Sequence, residues 1–149
     1  MPSPRPISAT ALVPRAAASI FDFLCDLENH WLLGDRFVAL ESVGDRGGRI
    51  RIRGPLGVAR HARATIVTAL PPAAGESGLL EGRAELDSGS VGRIAWRVEP
   101  QDERGARVTL EAVVERAVGI DRLLLAAGGR YWLRRSFTRT LAGLARLVR

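Results

Sequence analysis

Residues 120–149, IDRLLLAAGGRYWLRRSFTRTLAGLARLVR, decide the fold. They hold seven arginines (Arg122, Arg130, Arg134, Arg135, Arg139, Arg146 and Arg149) against one acid, Asp121, a surplus equal to the chain's whole formal net charge of +6. Residues 1–119 are therefore charge-balanced. At ~100° per residue, Leu133, Phe137, Leu141, Leu144 and Val148 form one stripe. Arg135, Arg139, Arg146 and Arg149 take the opposite arc, with Arg134 at its edge. This spacing predicts one long amphipathic helix of about 45 Å. In its first half Leu123, Leu124, Leu125, Ala126, Ala127, Tyr131 and Trp132 leave almost no polar face. Gly128 and Gly129 sit among them, each costing about 0.5–1 kcal/mol relative to alanine inside a helix. Either the helix kinks there, or the missing side chains leave room for another group. Ala126 and Gly129 continue the Leu133/Phe137 stripe, so the helix thins where it should face the middle of a sheet. That thinning predicts a hollow; a close helix–strand contact would fill the same gap.

Working back from this helix, the hydrophobic period is two. Phe37–Val43, Arg49–Arg53, Val58–Leu70, Leu79–Asp87, Val91–Glu99 and Arg107–Val118 read as strands. Arg49-Ile50-Arg51-Ile52-Arg53 alternates without a fault. Asp45–Gly48, Ser88–Ser90 and Pro100–Gly105 carry turn residues. Upstream, Ile7–Val13 is a strand, and Pro14 suits the first turn of a helix. Residues 16–27, AAASIFDFLCDL, place Ala17, Ile20, Leu24 and Leu27 on one face with Phe21 beside them. Glu28–Trp31 breaks that pattern as a loop or second short helix ending near Gly34. Strands joined by short turns predict an antiparallel meander. Its apolar face must be covered, and only the last helix is long enough.

Composition bounds the rest. The 149 residues suit one domain spanning 1–149, with residues 1–5 expected to be a disordered lead-in. Cys25 is the sole cysteine, which rules out an internal disulfide and a CxxC metal site; it reads as a small buried side chain. Every basic residue is arginine, in keeping with GC-rich coding. No apolar run reaches membrane-spanning length, and Met1–Pro6 has no apolar core of a signal peptide. A cytoplasmic location is the resulting expectation.

The segments Ile7–Pro14 (ISATALVP) and Ile20–Trp31 (IFDFLCDLENHW) contain a strand, a proline-led helix, an F-x-x-L-x-D stretch and a tryptophan soon after. In this and in its long terminal helix the chain resembles the START-like (SRPBCC) superfamily, in particular its polyketide cyclase/dehydrase-like branch. The resemblance runs over nearly the whole chain at the level of element order. It implies an α+β helix-grip fold: a seven-stranded curved antiparallel sheet wrapped around the long C-terminal helix, with one or two short helices after the first strand. It also implies a hydrophobic cavity between sheet and helix. Members bind lipids, sterols, polyketides, quinones or plant hormones, and include enzymes, carriers and adaptors. Catalytic residues differ between branches, so none transfers, and fold analogy alone does not settle function.

The residues themselves supply no catalytic constellation. There is no HExxH, no GxSxG and no phosphate-cradling glycine loop, and neither a metal nor a cofactor is implied. His30 falls in the first loop; His61 lies in a long strand with uncertain parity. By inward parity, Ile52, Ile66, Ile94, Trp96, Leu110 and Ala112 would line a cavity from the sheet. Leu124, Gly128, Tyr131 and Phe137 would approach from the helix, with Trp31 and Phe37 at the mouth. The same positions pack a closed core equally well. Tyr131 is the best polar orienting group, since a buried hydroxyl wants a partner. The expected function is binding of a small hydrophobic or amphipathic ligand, lipid-, polyketide- or quinone-like. A cyclase/dehydratase-type enzyme is one alternative, requiring a buried acid–base pair. A membrane-surface or partner-docking protein is another, with weak anionic-membrane contact through Arg134, Arg135 and Arg139. Nucleic acid is not expected: Arg49, Arg51 and Arg53 lack interleaved aromatics for stacking, and outward charges also guard strand edges.

Overall fold

The computed structural model describes residues 5–26, 29, 38–43, 47–53, 59–73, 76–102 and 104–147. The strands are β1 (Ile7–Val13), β2 (Val38–Val43), β3 (Gly47–Arg53), β4 (Ala59–Leu70), β5 (Gly78–Leu86), β6 (Val91–Asp102) and β7 (Gly105–Arg116). Helix α1 (Ala17–Cys25) follows β1, and α2 (Ile120–Leu124) and α3 (Arg130–Leu147) follow β7. The strands form one antiparallel sheet in the order β1-β7-β6-β5-β4-β3-β2. β2 to β7 make a simple meander. β1 returns to pair with β7, so β1 and β2 are the two edges. The fold is thus α+β with an antiparallel sheet and a long C-terminal helix.

Alternation divides the sheet into two faces. On the inner face lie Ile7 and Val13 of β1, Val108 and Leu110 of β7, Trp96 and Val98 of β6, and Leu80 of β5. They join Ile20, Phe21 and Leu24 of α1 and Phe137, Leu141 and Leu144 of α3 in one buried cluster. Fully burying each of these large side chains is worth roughly 1.5–3 kcal/mol. The outer face is charged: Arg93 bridges Glu115 at 2.6 Å and Glu81 at 3.8 Å across three strands. Arg49 meets Asp87 at 3.4 Å.

Several boundaries differ from expectation, each for a local reason. Pro14 does not open α1; the helix begins three residues later at Ala17, after a tight turn in which Arg15 N–H donates to Val13 C=O. Asn29 closes its other end by donating to the Phe23 carbonyl at 2.9 Å. The predicted turn residues Gly47 and Gly48 belong to β3 and pair with Thr65 and Ala64. Pro100 lies inside β6, at the register shift before Asp102, where its missing N–H breaks no regular rung.

The largest correction concerns the terminal helix, which is not continuous. Ala127 (φ −94°, ψ 28°) and Gly128 (φ 101°, ψ 6°) leave helical geometry and separate α2 from α3. The two glycines serve different ends. Gly128 supplies a positive φ in open space, where a Cβ would find no atom within 4 Å. Gly129 is buried, and a Cβ there would come within 2.6 Å of the Leu124 carbonyl oxygen. Of the two options the sequence leaves open at this point, the kink is the one realised.

Candidate ligand-binding site

The two helices cover the inner face unevenly. α3 packs chiefly on β1 and touches β7, while α1 sits over β5 and β6. Arg130, at the start of α3, fixes this placement by donating to the Arg5 carbonyl at 2.9 Å and the Pro6 carbonyl at 3.4 Å. Its partners lie beside β1, on the far side of the sheet from β3 and β4. Among the described residues the inner face of β3, β4 and β5 is left partly uncovered, and a hollow of about 110 Å³ lies there.

Register explains the shape of this hollow. One rung runs Gly48–Ala64–Ala84–Gly92 from β3 to β6, all small residues. The neighbouring rung runs Ile66–Gly82–Ile94, and Gly82 removes its middle. Small side chains make the floor; Ile50, Ile66, Leu80, Ile94 and Trp96 stand around it. Gly47, Thr65, Glu81 and Arg83 also border it. Ala64, Ile66 and Ile94 are only half-buried, so their apolar surface is reachable from solvent. The hollow is open to solvent and smaller than the enclosed ~150 Å³ apolar cavity that accepts benzene, so it can seat part of an apolar ring or a short branched chain while the rest of a ligand stays outside.

The residues expected at the site fall into distinct groups. Ile66, Ile94 and Trp96 line the hollow together. Leu110 and Phe137 lie in the closed core, with Ala112 packed against it. Leu124 is half-buried in α2. Gly128 is exposed. Tyr131 is 70% exposed, so its expected role as a buried orienting group is not met: on α3 it is turned about 120° from Phe137. No described helix residue lines the hollow, which is bounded by the sheet alone among the described residues. Trp31 and Phe37 lie outside the described residues, as does the Ile52 side chain; the Ile52 backbone pairs with Val38 and Arg60. Sequence reasoning misses Ile50, Ala64, Leu80, Gly82 and Ala84 as lining residues. The inward parity of Leu80, Gly82 and Ala84 is legible, and two small residues in succession on one face are the available signal.

Chemistry near the hollow is sparse. His61 is exposed on β4, one residue off the inward parity of buried Ala62; His30 lies outside the described residues. Cys25 is half-buried, and burial, then the nearby Asp22 carboxylate, push its thiol above the usual value. That disfavours the nucleophilic thiolate. Among the described residues no three His, Cys, Asp or Glu side chains cluster as metal ligands.

A second polar feature lies away from the hollow. Asp121, in the first turn of α2, accepts from Ser88 Oγ at 2.7 Å and Ser90 Oγ at 2.6 Å. Ser90 Oγ also accepts from Val118 N–H at 3.1 Å. This ties the β5–β6 turn to the start of α2, holding one side of the kink.

The comparisons with known proteins agree with this geometry at the level of fold. No family model matches the chain, and no curated protein matches it. Among solved structures, the solution structure of KanY is 17% identical with a TM-score of 0.69, over 99% of each chain. A Streptomyces aromatase/cyclase is 18% identical with a TM-score of 0.59, over 97% of this chain and 96% of that one. DynU16, a protein of the dynemicin biosynthetic locus, is 12% identical with a TM-score of 0.63, over 96% of this chain and 46% of its own. The chain shares its fold with these structures.

Proposed function

We propose that this chain is a binding module for a small apolar or amphipathic molecule, held ring-first in the hollow on the inner face of β3 to β6. The observation that carries this reading is the hollow itself: a floor of alanine and glycine walled by isoleucine, leucine and tryptophan. Burial at roughly 25 cal/mol per Å² would supply most of the affinity, and a polar end of the ligand would face the solvent side. Polyketide-like and quinone-like molecules have this shape, and the folds of a Streptomyces aromatase/cyclase and a dynemicin-locus protein lend the polyketide class support. Holding is favoured over turnover because His61 is exposed, one residue off the inward parity of its strand, and does not line the hollow among the described residues.

Isothermal titration with 2-naphthol tests the reading. Wild-type protein should bind one equivalent with a negative heat-capacity change, the marker of apolar burial. Ala64→Leu places three extra carbons in the hollow; it should abolish binding while leaving stability unchanged or raised by about 0.5–2 kcal/mol. Equal binding by wild type and Ala64→Leu would contradict the assignment.

A further inference from the structure

Beyond that reading, and independent of it, we infer that the solvent face of α3 with the kink before it is a docking surface for an anionic phospholipid bilayer. Tyr131, Arg134, Arg135, Arg139 and Arg146 are all exposed. At ~100° per residue Tyr131, Arg135, Arg139 and Arg146 share one arc of α3 turned away from buried Phe137, Leu141 and Leu144, and Arg134 lies at the border of the buried stripe, beside Leu141. From Tyr131 to Arg146 this arc runs about 22 Å. No acid follows Asp121 in the chain, and among the described residues no carboxylate pairs with these four arginines. Four of the seven arginines that give residues 120–149 the chain's formal surplus of +6 therefore lie on the solvent side of α3.

Charge alone would suit any polyanion. The apolar side chains beside it choose between them. Leu123 is 69% exposed and Tyr131 70%, and Ala126, Ala127 and Gly128 between them are exposed as well. The kink brings this about: Ala127 and Gly128 break the helix, so the apolar run of α2 no longer follows the core-facing stripe of α3. An exposed leucine and tyrosine at one end of a basic helix fit a lipid interface, where the apolar parts enter the headgroup boundary and guanidinium groups meet phosphates. A nucleic-acid backbone offers nothing to an exposed leucine. The helix would lie flat on the bilayer, since no helix among the described residues is long and apolar enough to cross one.

Co-sedimentation with vesicles of phosphatidylcholine alone, and with 30 mol% phosphatidylglycerol, is the test. The full chain should bind the anionic vesicles well above the neutral ones, and added salt should weaken the binding. Arg134→Gln/Arg135→Gln/Arg139→Gln should lower the partition coefficient about a hundredfold. Arg134→Lys/Arg135→Lys/Arg139→Lys should retain it, which separates charge from any effect on folding. Leu123→Ser/Tyr131→Ser should weaken it several-fold at every salt concentration. Equal, negligible sedimentation with both vesicles would overturn the proposal. So would full binding by the glutamine variant, or arginine-dependent capture of a DNA duplex with no change in the Leu123→Ser/Tyr131→Ser protein.

Discussion

Gly128 and Gly129 are neighbours that fail for different reasons when changed. Alanine at 128 meets no atom but must adopt a φ of 101°, a conformational cost of about 1–2 kcal/mol. Alanine at 129 has an ordinary backbone but pushes a methyl against the Leu124 carbonyl at 2.6 Å, so α2 must shift; strain of this kind costs about 1–3 kcal/mol. Urea unfolding should show both losses. Gly128→Asn should recover part of the first, because asparagine tolerates positive φ, whereas Gly129→Asn should recover none. Ser90 is a third sensitive position. It is 5% exposed and serves both Asp121 and Val118 N–H. Ser90→Ala should cost about 1–3 kcal/mol by leaving buried polar groups short of a partner, measured by the same unfolding curves. How much of this is legible in the sequence varies by residue. The glycine pair reads as a kink or a gap, and the kink is found. Tyr131 is misplaced by the sequence reading although the signal exists: six residues separate it from Phe137, which turns it far off that stripe. The error comes from choosing Tyr131 for its hydroxyl and not for its place on the helix, since it and Phe137 lie on the same unbroken α3.

At the scale of elements, the periodic signals are reliable and the contacts between elements are not. Alternation places Ile50 inward with Arg49 and Arg51 exposed, and Ala17, Ile20, Phe21 and Leu24 on the buried side of α1. The stripe on α3 is buried at Phe137, Leu141 and Leu144. Where α3 lies across the sheet is not written in any period. It lies toward β1, tied by Arg130 to Arg5 and Pro6, so the hollow opens over β3 to β6 instead of beneath the helix. Nor does one strand's sequence say which small residues will meet: Ala64, Gly82 and Ala84 become a floor only through register. Packing on β1 should carry much of the stability. Leu144→Ala, at a fully buried position of α3, should destabilise by about 2–5 kcal/mol. The exposed Leu147→Ala three residues on should change stability by under ~0.5 kcal/mol. Similar losses at both positions in thermal unfolding would mean that α3 is seated differently.

At the scale of the molecule, the two helices divide the labour of covering one apolar face. α1 closes the part over β5 and β6, α3 closes the part over β1 and β7, and a neutral, strand-rich body carries a basic helix on its side. Among the described residues the face is not covered completely, and the uncovered part is where the cross-strand rungs shrink to alanine and glycine. A fold that needed only stability would fill those positions with larger side chains. The central claim is that this hollow is a seat for a ligand. A titration of ¹⁵N-labelled protein with 2-naphthol, followed by amide chemical shifts, tests it most directly. Saturable shifts should concentrate at Ala64, Ile66, Gly82, Ile94 and Trp96, with α3 beyond Phe137 unmoved. Shifts confined to the helices, or none at a concentration that saturates the calorimetric signal, would contradict it.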